Sequence, residues 1–193
     1  MQLASSIVCM AFEASSRKFV VGTNDGQVVF YNDGIEQARS IKNHRGRING
    51  LSFNHSGTKV IAGSADGTAV IWDCATGNPL TTFVCGREVT TALFSSDEQF
   101  VLLAGFTGQA QLWSVATTKA MGVPFRHPDI VTRAVFCEAD RGIITACWDG
   151  GIRLWKLPLA QSADVPSLVE FLQQKTGLQL SPTGVAELVE PGL

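Results

Sequence analysis

Between residues 7 and 157 the chain alternates short apolar runs with polar, glycine-marked breaks. Typical runs are IVCMAF at 7–12 and FVLLAG at 100–105, rich in Val, Ile, Leu and Phe. Runs of this length, separated by Asp-Gly or Xaa-Gly pairs, predict strands joined by tight turns. No segment of 1–157 carries a sustained helical period with caps, so the pattern predicts no helix there.

The runs recur. Four segments align by eye: VCMAFEASSRKFVVGTNDGQVVFYN (8–32), INGLSFNHSGTKVIAGSADGTAVIWD (48–73), VTTALFSSDEQFVLLAGFTGQAQLWS (89–114) and VTRAVFCEADRGIITACWDGGIRLWK (131–156). Phe12, Phe53, Phe94 and Phe136 fall 41, 41 and 42 residues apart. Asp25, Asp66, Thr107 and Asp149 keep the same spacing, as do Tyr31, Trp72, Trp113 and Trp155. Within each unit, three strand-like runs are split first by SSRK, NHSGT, SSDEQ or EADRG and then by NDG, ADG, FTG or WDG. A fourth run follows at IEQARSIKN (35–43), PLTTFV (79–84) and KAMGVPF (119–125). Each unit therefore reads as an antiparallel four-stranded sheet. Such a sheet cannot dry both faces alone, and stacking on copies of itself does so. A period near 41 residues suits one propeller blade.

These columns resemble the WD-repeat family. The closest unit is HRGRINGLSFNHSGTKVIAGSADGTAVIWD (44–73), which ends in Trp72-Asp73. The resemblance implies an all-β fold of four propeller sheets over residues 1–158, with units at about 7–43, 44–84, 85–125 and 126–157. It implies a partial ring, because complete rings of this family usually hold about seven blades. The chain opens in the first strand near Ile7, and its last repeat strand ends at Trp155. The expectation is that the remaining blades come from a longer chain or a second copy. The family also implies a hydrogen-bonded chain of a His, a Ser or Thr, the turn Asp and the Trp. The fourth unit matches at His127, Thr145, Asp149 and Trp155. The second keeps His44, Asp66 and Trp72 but has Ala62 for the hydroxyl. The third has Cys85, Leu103 and Thr107 beside Trp113, and the first keeps Asp25.

Residues 159–193 break the pattern. VPSLVEFLQQKTG (165–177) reads as a short helix with Pro166 in its first turn and Gly177 at its stop. Two short strands then flank a Ser-Pro-Thr-Gly turn. This helix and hairpin tail resembles segments that follow the last blade in bacterial WD-repeat proteins, some of which carry a Ser/Thr protein kinase domain.

Composition narrows the function. With 15 Lys+Arg against 17 Asp+Glu in 193 residues, the net charge is −2, which argues against a nucleic-acid surface. No apolar run approaches the roughly 20 residues of a membrane span. The start MQLASSIVCMAF lacks a secretory pattern, so the expected location is cytoplasmic. Five cysteines, odd in number and without a CxxC pair, read as small buried hydrophobes. No phosphate-binding loop, nucleophile elbow, kinase element or metal-ligand spacing is present. The charges Asp97, Glu98, Glu138, Asp140 and Arg141, in the turns between the first and second runs of the third and fourth units, read as solvated. The expected function is a non-catalytic interaction scaffold without a cofactor, binding a protein or peptide. The alternative is a regulatory or docking region of a bacterial Ser/Thr kinase whose catalytic domain is absent from this chain. By the resemblance, the residue before the turn Asp faces the narrow side of the ring. That column reads Asn24, Ala65, Phe106 and Trp148, so Phe106 and Trp148 become the partner-binding candidates, with Arg47 and Glu88 as added polar contacts.

Overall fold

The computed structural model describes residues 5–13, 18–31, 38–137, 140–157, 178–180 and 186–188. The chain divides into two compact units, Met1–Leu157 and Pro158–Leu193. In the first unit, β1 (Ile7–Glu13), β2 (Lys18–Thr23), β3 (Gln27–Tyr31) and β4 (Ala38–Lys42) form one antiparallel sheet. The second holds β5 (Ile48–Phe53), β6 (Lys59–Ser64), β7 (Thr68–Asp73) and β8 (Pro79–Val84). The third holds β9 (Val89–Phe94), β10 (Phe100–Gly105), β11 (Gln109–Ser114) and β12 (Ala120–Arg126). The fourth has three strands, β13 (Val131–Cys137), β14 (Gly142–Cys147) and β15 (Ile152–Lys156). In the second compact unit, β16 (Leu178–Leu180) pairs antiparallel with β17 (Ala186–Leu188). The expected helix at 165–177 lies outside the described residues.

The core sits between sheets. Val20, Val28 and Phe30 of the first sheet pack on Ile48, Val60, Val70 and Trp72 of the second. Ile61, Ala69 and Ile71 on the opposite face of the second sheet meet Val89, Ala92, Val101 and Leu103. Leu102, Ala104 and Ala110 meet Val131, Ala134 and Ile143. Strands such as KVIAGS and FVLLAG therefore carry apolar residues at successive positions, because each of their faces meets a neighbouring sheet. The fourth sheet departs from this. Its β15 alternates exposed and half-buried positions, with Trp155 turned inward and Ile152 and Leu154 left exposed.

Two devices fix one sheet against the next. The first strand of every sheet carries a bulge at the same column, between Ile7 and Cys9, Ile48 and Gly50, Val89 and Thr91, and Val131 and Arg133. The bulged side chains of two sheets reach the start of the next. Asn49 Nδ2 donates to the Val89 carbonyl at 3.0 Å, and Thr90 Oγ1 donates to the Val131 carbonyl at 2.6 Å. The second device lies at the opposite end of the strands. Gly57, Glu98 and Asp140 occupy one column and all have positive φ (65°, 59° and 64°). The two acids hold this glycine-favouring conformation while bonding the preceding sheet's turn. Glu98 accepts from Asn54 Nδ2 at 2.8 Å and from the Ser56 N–H at 2.9 Å, and Asp140 accepts from the Ser96 N–H. Partial burial pushes the Glu98 carboxyl up, but these donors hold it below the ordinary range. Glu98, between β9 and β10, and Asp140, between β13 and β14, thus correct the reading of these turn charges as merely solvated. Sequence spacing shows that they sit in turns, whereas the partner lies on another sheet.

The uncovered face gives a direct test. Leu102 is fully buried and Leu154 is 56% exposed. Leu102→Ala is expected to cost about 2–5 kcal/mol and Leu154→Ala less than about 0.5 kcal/mol in urea unfolding. Equal costs would contradict the stacking order.

Candidate functional site

Each turn between the second and third strand of a sheet is held in one way. The N–H groups of Asn24, Ala65, Phe106 and Trp148 donate to the carbonyls of Ser6, Arg47, Glu88 and Ile130, at 2.9, 2.8, 3.0 and 3.0 Å. This sets the four pre-Asp residues in one row along one end of the sheets. The loop that opens each following sheet leans on the turn before it. Gly26 and Gly108 have positive φ (86° and 65°), and a methyl at either would press on the His44 or the His127 carbonyl. Only glycine combines that backbone with that approach. The equivalent Gly150 meets nothing within 4 Å among the described residues.

Trp148 is accordingly 65% exposed and Phe106 39% exposed. Their rings stand edge to face with centroids 6.3 Å apart. Arg47 and Glu88 turn toward each other. Arg47 Nη2 and Asn49 Nδ2 both donate to Glu88 Oε1 at 3.0 Å, and Arg47 Nε donates to Asn49 Oδ1 at 2.7 Å. Asn49 was not singled out from the sequence, since its role depends on the bulge that aims it at the next sheet.

Beneath the row, the hydrogen-bonded chain is divided between two units. In the fourth, His127 Nδ1 donates to the Phe125 carbonyl at 3.0 Å, leaving Nε2 as an acceptor. The Thr145 hydroxyl donates to Nε2 at 2.7 Å and accepts the Trp155 indole N–H at 2.9 Å. Asp149 stands outside this chain. Arg153 engages it through Nη2–Oδ2 at 2.5 Å and Nη1–Oδ1 at 3.2 Å, a bidentate pair that holds the Asp149 carboxyl well below its ordinary range. The equivalent of Arg153 in the second unit is Val70, which cannot compete for the turn acid. There His44 Nδ1 donates to Asp66 Oδ2 at 2.9 Å, and Thr68 Oγ1 donates to Asp66 Oδ1 at 2.6 Å. Burial raises the Asp66 carboxyl, but Thr68, the Arg45 N–H and His44 together hold it low. With Ala62 in place of a hydroxyl, buried His44 Nε2 and Trp72 Nε1 have no hydrogen-bond partner.

The third unit lacks both halves. Cys85, Thr107, Gln109, Gln111 and Trp113 line a recess of about 210 Å³. Burial pushes the Cys85 thiol up to about 12, and the Cys9 and Cys74 thiols up to about 11. They stay protonated at neutral pH and are poor nucleophiles. In the first unit Thr23 Oγ1 donates to Asp25 Oδ1 at 2.7 Å. The His44 and Trp72 rings stand edge to face with centroids 5.4 Å apart, so the imidazole of the His44–Asp66 pair packs on an indole. Among the described residues, no group of three or more His, Cys, Asp or Glu could hold a metal ion, and no helix is long and apolar enough to cross a membrane.

The model of the WD domain, G-beta repeat, matches residues 35–73 and 121–156. The chain is 28% identical over 142 residues to the serine-threonine kinase receptor-associated protein of Homo sapiens, covering 73% of this chain and 39% of that protein. It is 29% identical over 128 residues to the U3 small nucleolar RNA-associated protein 21 homolog of Schizosaccharomyces pombe, covering 65% and 14%. A WD repeat-containing protein 91 homolog of Dictyostelium discoideum is 30% identical over 110 residues, covering 56% and 14%. The chain thus spans about two-fifths or less of these relatives.

Two outcomes follow from the divided chain. Ala62→Ser places a hydroxyl where Thr145 has one, able to donate to His44 Nε2 and accept from Trp72. It is expected to stabilise the protein by about 1 kcal/mol, read as a raised urea midpoint. Burial, the main cause, and Arg153 lower the His127 pKa below its ordinary 6.5, against the Phe125 carbonyl and Asp149, which raise it. The unfolded state then binds more protons than the folded state below pH 6.5. Stability contributed by neutral His127 is full above that pH and falls as pH drops through it, levelling at the lower folded value. Unfolding of His127→Gln between pH 7 and pH 5 should show a shallower pH slope than the parent; an identical slope would exclude the assignment.

Proposed function

The chain carries WD repeats, and we propose that it is a non-catalytic interaction scaffold that captures a protein or peptide on the turn row ending in Phe106 and Trp148. The observation that carries this reading is the exposed aromatic pair on adjacent sheets. Burying an exposed indole is costly to forgo and cheap to order, and such side chains dominate binding hot spots. The backbone beneath is rigid, because each turn is bonded to the strand start beside it. A rigid platform loses little entropy when a partner docks. Arg47 and Glu88 support the platform through their mutual pair with Asn49 and contribute less to contact. Neither the matched repeats nor the named relatives support the alternative of a docking region for a bacterial Ser/Thr kinase. The reading needs no cofactor and no reacting group.

Affinity capture followed by mass spectrometry supplies a partner, and titration with the purified partner supplies the test. Trp148→Ala is expected to weaken binding by more than about 1 kcal/mol, roughly a fivefold rise in Kd, while the unfolding midpoint stays within about 0.5 kcal/mol of the parent. Val123→Ser, on exposed β12, should leave the affinity unchanged. Unaltered binding by the Trp148 variant would overturn the proposal.

A further inference from the structure

The charges along the same row are unevenly spent. Asp25 accepts from Thr23 and Gln27, and Asp66 from His44, Arg45 N–H and Thr68. Glu88 is held by Arg47 and Asn49, and Asp149 by Arg153. Asp129 is exposed and spends one oxygen on the Ile130 N–H at 2.7 Å. The cations Arg45 and Arg87 are also exposed, and among the described residues no hydrogen bond or ion pair engages either guanidinium. Both lie in the loops that lean on the turns. A methyl on Gly67 would sit 3.1 Å from the backbone nitrogen of Arg87, and Arg87 directly precedes Glu88, whose carbonyl receives the Phe106 N–H. Arg45 occupies the preceding loop, where its own N–H donates to Asp66. The row therefore runs from two unspent guanidinium groups to an apolar pair.

We propose that this row selects an acidic peptide: an apolar anchor seated on Phe106 and Trp148, with carboxylates beside it meeting Arg87 and Arg45. The inference rests on the capture surface proposed above and specifies its ligand. Guanidinium groups pair carboxylates bidentately, and a cation left unpaired at an exposed rim adds attraction with little desolvation penalty. The contribution falls with added salt over a distance of about 10 Å at 0.1 M. The row is too sparse in cations for a polyphosphate backbone, which needs many simultaneous neutralised contacts.

The experiment measures fluorescence anisotropy of the full chain with three labelled peptides that share a central Leu-Phe anchor and carry Asp/Glu, Gln or Lys flanks, beside a labelled oligodeoxythymidylate. The Asp/Glu peptide is expected to bind at least about tenfold tighter than the Gln peptide, with the advantage shrinking at high salt. The double variant Arg45→Glu/Arg87→Glu should invert the order in favour of Lys flanks, and Trp148→Ala should weaken all three peptides together. Equal affinities that still depend on Trp148 would refute the acidic preference and leave the capture surface standing. Affinity for the acidic peptide that is unchanged by Trp148→Ala would refute the surface itself. Binding of the oligonucleotide as tight as that of the acidic peptide would assign the row to nucleic acid and overturn the proposal, as would no binding of any peptide at millimolar concentration.

Discussion

Face-to-face burial between neighbouring sheets is the interaction on which the rest of this structure depends. Each sheet is apolar on both sides, and neither side can be dried by folding the sheet back on itself. Val28 and Phe30 need Ile48 and Trp72; Ile61 and Ile71 need Val89 and Leu103. The hydrophobic term is non-directional, so it brings the sheets together without fixing their register. Register comes from polar groups. Bulged Asn49 and Thr90 bond the next strand start, and left-handed Glu98 and Asp140 bond the preceding turn. These bonds lie at both ends of the strands, so two neighbouring sheets are pinned twice.

The same column position does different work in different units because its neighbour differs. Asp66 meets His44, while Asp149 is taken by Arg153. Thr145 links His127 to Trp155, while Ala62 leaves the corresponding nitrogens without partners. No unit completes the four-membered chain. The turn nevertheless keeps its shape in all four units, since the backbone bond from the pre-Asp N–H to the strand start is independent of these side chains. This explains how the row survives degeneration of the chain beneath it, and how the third unit tolerates a recess beside Cys85.

The capture surface arises at a boundary. Three turns are overlain by the loop of the next sheet, and among the described residues nothing lies over the glycine of the fourth. Phe106 stands on the third turn and Trp148 on the fourth, where an indole stays in solvent beside a second ring. Arg45 and Arg87 ride on the overlying loops, so the stacking of the sheets also spaces the row's charge. A change that loosened the stack would therefore alter both stability and the presentation of this edge.

Much of the fold was legible in the residues. The 41-residue spacing of Phe12, Phe53, Phe94 and Phe136, the turn glycines and the aligned aromatics fixed the strand positions, because a strand and its turn depend on local side-chain alternation and on φ at a few positions. The alignment put Phe106 and Trp148 in one column, and the facing of that column was implied only by the family resemblance. The pairing of Arg47 with Glu88 and Asn49, the diversion of Asp149 to Arg153, and the cross-sheet bonds of Glu98 and Asp140 were not legible. The cross-sheet bonds join residues 39 to 44 apart, which meet only after the sheets stack, and the Asp149–Arg153 pair, four residues apart, depends on how the hairpin turn aims the two side chains. Periodicity determined which side chains share a face; tertiary packing alone decided which of them became partners, because a hydrogen bond is set by tenths of an ångström and a hydrophobic pattern is not.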